Sequence, residues 1–185
     1  ITITIEKNPM GTMKYEKSHL IEGPINHVFA SRFIVVEDSE RPDSSLNIAS
    51  VFTKNWKDNY FEYCKKKMDY EINEKDIANC NLIICHTLHS NIFLNKIIDQ
   101  LPIELSHDEI KIGEKTVHGE NLAYQLVYPN PLNHNKYILL LGANGSMIDS
   151  SFFEDLSYKG WFEYEVFKQR KEESVATGYF NKYWQ

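Results

Sequence analysis

Two short apolar runs, set apart by a loop of prolines and asparagines, limit what this chain can fold into. Residues 122–128 (LAYQLVY) and 137–141 (YILLL) are continuous rather than alternating in polarity. Runs this short, bounded by turn residues, read as strands covered on both faces, the kind found inside an α/β sheet. Between them lie Pro129, Pro131, Asn130, Asn133 and Asn135, which read as a loop of specific shape. After the second run comes Gly142-Ala143-Asn144-Gly145-Ser146, where glycine allows a sharp bend. Ligands of α/β sheets collect beyond strand ends, so both loops are candidate site positions.

The remaining chain supplies parts for such a sheet. Residues 1–20 read as a leading β-prone stretch and connector, and residues 21–185 as one α/β domain. Residues 32–36 (RFIVV) read as the first strand. A helix follows, capped by Asp43, Ser44 or Ser45, with Ile48, Ala49, Phe52, Trp56, Phe61, Tyr63 and Cys64 on its apolar face. Lys65-Lys66-Lys67 fall in its last turn, where cations oppose the helix dipole. Asn73 opens a short capped turn, and residues 81–85 (NLIIC) are a buried strand. Ser90 is placed to cap a helix whose Leu94, Ile97, Ile98 and Leu101 recur at helical spacing, with Pro102 at its end. This strand and helix form half of a crossover unit that the strand at 122–128 completes. Residues 109–112 and 115–117 flank Gly113-Glu114 as a small β-hairpin, and two late strands lie within 161–167 and 174–180. The expected fold is a three-layer α/β domain, flavodoxin- or Rossmann-like in outline, on a mostly parallel or mixed sheet.

Composition removes some function classes. A net charge of −6 argues against nucleic acid, whose binding needs a basic face. No stretch is long and apolar enough to span a membrane. The 3 cysteines, Cys64, Cys80 and Cys85, lack zinc-ligand spacing, and an odd count is no disulfide framework, so free thiols are expected.

Catalytic and cofactor motifs are incomplete. In Gly142-Ala143-Asn144-Gly145-Ser146 an asparagine stands where a Gly-x-Ser-x-Gly elbow carries its nucleophile, and no histidine follows it. The loop after residue 85 lacks the glycines of a dinucleotide fingerprint, so no cofactor is expected. His86 and His89 are weak metal candidates that need a third ligand from His27 or His134. Glu163 and Glu165 share a strand face and read as a solvated edge. A polar cleft of Thr87, Ser90, Asn91, Asn130, Asn144 and Ser146 remains, with Asn91, Asn130 and Asn144 expected to meet at one sheet end. It suits a small molecule or anion. The final residues, rich in aromatics, are expected to pack on the domain, burying Phe180 and Trp184.

Four segments also carry a resemblance. They are Gly23-Pro24-Ile25-Asn26-His27-Val28-Phe29; Asn81-Leu82-Ile83-Ile84 through Ser90-Asn91 with Leu101-Pro102-Ile103; Tyr128-Pro129-Asn130-Pro131-Leu132-Asn133; and Gly178-Tyr179-Phe180 closing with Trp184. In this order they resemble the C-terminal region of bacterial prolyl-oligopeptidase-like α/β-hydrolases, over residues 20–185. One departure is Leu140-Leu141-Gly142, where that family has Asn-Ser-Gly. The resemblance implies a secreted or periplasmic protein in which this chain is a non-catalytic C-terminal accessory domain. Its partner would be an upstream hydrolase domain of the same parent chain.

Overall fold

The structure is a computed structural model that describes residues 15–40, 48–88, 90–145, 161–168 and 173–185. In chain order it forms β1 (Phe33–Glu37), α1 (Ile48–Tyr60), β2 (Lys66–Met68), α2 (Glu74–Asn79), β3 (Asn81–Thr87) and α3 (Ile92–Asn95). Then come β4 (Ile103–Ser106), β5 (Glu109–Ile112), β6 (Lys115–His118), β7 (Leu122–Asn130), β8 (Asn133–Ala143), β9 (Tyr164–Lys168) and β10 (Glu173–Gly178). A seven-stranded sheet runs β10-β9-β7-β8-β3-β1-β2, and a three-stranded sheet runs β4-β5-β6. The expected hairpin is thus part of a small sheet that β4 completes. The fold is α/β with a mixed sheet, and helices are sparse among the described residues.

The continuous apolar runs form the centre of the sheet. Every residue of β3 and β7 is buried, as expected of strands covered on both faces. β2, β1, β3 and β8 are parallel, whereas β7, β9 and β10 add antiparallel ladders. The strand that completes the crossover from β3 is therefore β8, not β7. β7 instead forms a hairpin with β8, and the proline-asparagine segment expected to loop between them is mostly paired. Pro129 lies opposite Tyr137 and Asn130 opposite Asn133, across a register shift. A proline donates no ladder hydrogen bond, so it fits where the pairing is irregular.

Two other local expectations need correction. The lysine triplet is not helical: α1 ends at Tyr60, so Phe61 and Tyr63, expected on its apolar face, lie beyond it and are exposed, and Lys66 and Lys67 belong to edge strand β2. Their ammonium groups pair with buried carboxylates, Lys66 with Glu37 at 2.9 Å and Lys67 with Asp76 at 2.6 Å. Lysines on an edge strand also discourage pairing with another chain. The helix after β3 is short, α3 followed by a 3₁₀ turn at Ile98–Gln100, and its cap is Asn91 rather than Ser90. Branched Ile92, Ile97 and Ile98 disfavour a longer helix there. α2, by contrast, has the expected Asn73 cap, whose side chain accepts from Lys75 N and Asp76 N. Asp43, Ser44, Ser45 and the leading strand lie outside the described residues.

One face of the sheet packs on α1, where Phe52 and Trp56 meet Phe29 and Phe33. The chain end closes the other side. Phe180 is buried and Trp184 is 0% exposed, as the aromatic tail leads one to expect. Of the leading segment, Tyr15 packs on Tyr128 and His134, and Lys17 N donates to Lys182 O, so the described part of this connector is tied to the tail.

Candidate functional site

β8 lies between β7 and β3, and Gly142 on it is in register with Tyr124 on one side and His86 on the other. Residues in register point to the same face. Glycine leaves a gap between two large side chains, and they meet over it: Tyr124 OH lies 2.5 Å from His86 Nε2. A Cβ on residue 142 would sit 2.7 Å from that nitrogen and 2.9 Å from the hydroxyl. Gly142 is thus an interior strand residue that makes room, not the bend expected from its sequence. His86 Nδ1 lies 3.1 Å from the Thr87 carbonyl. A carbonyl only accepts, so Nδ1 carries the proton and Nε2 accepts from Tyr124. Burial lowers the His86 pKa to about 4, against the opposing pull of the Thr87 carbonyl and Asp38. Burial also raises Tyr124 well above the ordinary phenol range. Both groups are neutral at pH 7 and hold a fixed polar contact on an otherwise apolar face.

Thr87, Ser90, Asn91 and Asn144 gather at the C-terminal end of β3 and β8, each spent on the local chain. Ser90 Oγ accepts from Thr87 N at 2.9 Å and lies 3.0 Å from the Thr87 carbonyl, closing a tight turn. Asn91 adopts φ +80°, which asparagine tolerates better than most residues, and its Oδ1 accepts from Leu94 N. Asn144 joins strand to loop, accepting from Leu122 N and donating to Gly119 O, each at 2.8 Å. Asn130 is not with them. β7 runs antiparallel to β8, so Asn130 sits at the opposite sheet end, where its Oδ1 accepts from Leu132 N. The expected meeting of Asn91, Asn130 and Asn144 fails because the strand direction assumed for residues 122–128 was reversed. Ser146 and His89 lie outside the described residues.

The metal candidates are likewise dispersed. His86 uses both ring nitrogens, and His134 packs on Tyr15 at the far sheet end, with 4.0 Å between ring centres and the rings tilted by 48°. Among the described residues no three His, Cys, Asp or Glu side chains cluster. Cys85 is buried and Cys64 and Cys80 half-buried, all as free thiols; burial pushes Cys64 up to about 12.

Spacing within the chain gave no hint of a second buried polar cluster. Glu163 was expected on a solvated edge, yet it is 2% exposed. β10 covers β9, and the Glu163 backbone bonds to both neighbours, Val127 and Gly178. Its carboxylate accepts from Lys17 Nζ at 2.5 Å and Phe180 N at 2.6 Å. Lys17 also donates to Phe180 O at 2.9 Å and lies over the Trp184 ring at 4.8 Å. Burial raises the Glu163 carboxyl above its ordinary pKa, although Lys17 and the Phe180 N–H oppose the shift. A side chain on Gly23, which has φ +73°, would collide with this carboxylate.

A cavity of about 1200 Å³ reaches from His86 to the Phe180 and Trp184 side chains beside the second cluster. His86, Tyr128 and Tyr164 line it from the large sheet, and Ile103, Leu105 and Ile112 from the small one. Phe180 and Trp184 close one wall. The lining is mixed, with Ser90, Asn95, Glu104, Lys111 and Asn181 beside the apolar residues, and concave surfaces with placed polar groups are the usual form of a ligand site. Compared with family models, curated proteins and solved structures, the chain matches none.

Proposed function

We propose that this chain is a non-catalytic accessory domain of a larger secreted, prolyl-oligopeptidase-like hydrolase, packing on the catalytic domain and shaping access to it. The observation that carries the reading is the placement of His86. Its Nε2, the nitrogen that a serine hydrolase aims at its nucleophile, accepts from Tyr124. The hydroxyl of nearby Ser90 turns to Thr87. Exposed Tyr60, Phe61 and Tyr63 at the end of α1 suit a docking face, since interface centres favour aromatics. The parallel order β2-β1-β3-β8 reverses direction between β1 and β3, which supports a flavodoxin-like outline for the domain.

The test is an assay of the isolated chain with chromogenic peptide and ester substrates. Background rates are expected, unchanged in Ser90→Ala and His86→Gln. Turnover above background that either substitution abolishes would overturn the proposal.

A further inference from the structure

The cavity has a feature that neither a closed core nor a small-molecule pocket requires: it runs along an open strand edge. It touches Pro102, Ile103, Glu104 and Leu105 in succession. The cavity also meets Lys111, Ile112, Gly113, Glu114 and Lys115, so it lies where one end of the small sheet meets the edge of β4. That edge is free among the described residues, because the small sheet is ordered β4-β5-β6.

Pairing on the other side fixes which backbone groups face outward. Gly113 N donates to Pro102 O at 2.8 Å, which sets the phase of the antiparallel ladder. Hydrogen-bonded pairs alternate along it. Glu104 and Ser106, opposite Lys111 and Glu109, turn their backbone groups toward β5. Ile103 and Leu105 therefore turn theirs toward the open side, and neither has a backbone partner there among the described residues. A second observation is independent of the first. Trp184 lines the cavity, and its buried Nε1–H finds no acceptor among the described residues. A sealed donor without a partner is uncommon in folded proteins.

We propose that the cavity is a peptide-binding site in which an extended segment adds to the free edge of β4 and places one large apolar side chain against Tyr128, Phe180 and Trp184. An extended peptide supplies the missing elements together. Its backbone offers alternate N–H and C=O groups to Ile103 and Leu105, the strand-addition mode of recognition. It also brings carbonyl oxygens, one of which meets the sealed Trp184 indole as the peptide side chain parts the aromatic rings of the tail. Sugars and simple hydrophobes match only parts of this pattern. The inference does not depend on an attached hydrolase.

The experiment uses the chain in isotope-labelled form, titrated with a pool of capped heptapeptides randomised around a central Phe, Leu or Tyr. Amide resonances of Ile103 and Leu105 and the Trp184 indole resonance should move together. The tightest-binding sequence is then remade with N-methyl groups on the alternate residues of one edge, and separately on those of the other. One of these should bind at least about tenfold more weakly, and the other nearly as well as the parent peptide. No movement of these resonances with the pool would overturn the proposal. So would equal binding of both methylated peptides, or movement of the Trp184 indole alone with a soluble oligosaccharide. The readout needs no substituted chain, so misfolding cannot imitate a negative result.

Discussion

Replacing Gly142 with alanine tests the contact on which the site geometry rests. Elsewhere in a strand, alanine is favoured over glycine by ~0.5–1 kcal/mol, because glycine loses more chain entropy on folding. Here the added Cβ would lie 2.7 Å from His86 Nε2 and 2.9 Å from Tyr124 OH, closer than side chains tolerate. Tyr124 is wholly buried and has no space to yield, although His86 borders the cavity. Overpacking of this kind costs ~1–3 kcal/mol. Parting the His86–Tyr124 hydrogen bond leaves two buried polar groups unpaired, at ~1–3 kcal/mol for each group so stranded. The steric and polar losses exceed the gain, and Gly142→Ala is expected to lose ~2–8 kcal/mol, which at ~2–4 °C per kcal/mol lowers Tm by at least ~4 °C. Tyr124→Phe alone strands only His86 Nε2 and should lose ~1–3 kcal/mol. In the double variant the phenol oxygen that the Cβ met is gone, so the summed loss should shrink by ~1 kcal/mol or more. Urea melts of the four proteins give this coupling directly. A neutral Gly142→Ala, or losses that add within ~0.5 kcal/mol, would refute the argument.

His86 predicts an acid limb to stability. The unfolded chain takes up a proton below about 6.5 and the folded chain only near 4, so stability should fall by ~3 kcal/mol as pH drops through that window. His86→Gln should flatten the limb in melts run from neutral to acid pH. Lys17→Met leaves the Glu163 carboxylate buried without its cation, a loss of ~3–5 kcal/mol at neutral pH. A carboxyl whose folded pKa is raised destabilises the fold above that pKa, so the deficit of this variant should shrink as pH falls and the group protonates. An equal deficit at all pH values would show that the Lys17 chain matters only by packing. Trp184→Ala should lose ~3–5 kcal/mol and fall ~6–20 °C in Tm, because the indole is wholly buried among Tyr128, Tyr137 and Phe180.

The parts of this fold visible in the sequence are those that depend on neighbours along the chain. β3 and β8 announce themselves as unbroken apolar runs, α2 by Asn73 at its cap, and the β5–β6 turn by Gly113-Glu114. Pairing direction carries no such mark. The run at residues 122–128 would look the same whether it ran parallel or antiparallel to its neighbour, and one wrong direction moved Asn130 to the wrong end of the sheet. The polar residues at strand ends were located correctly in part, yet their identity as serine and asparagine says only that they hydrogen-bond. Whether the partner is a ligand or the residue three places on is decided by backbone turns that no composition reveals. Glu163 shows the same limit more sharply. Its separation from Lys17 is 146 residues, and a carboxylate on a late strand carries no local sign that a lysine from the connector will cover it. Gly142 was the one readable clue to the buried pair. A glycine that continues an apolar strand, where bulk would ordinarily be favoured, marks a place where something else occupies the space of its side chain. In this chain that space holds the His86–Tyr124 contact.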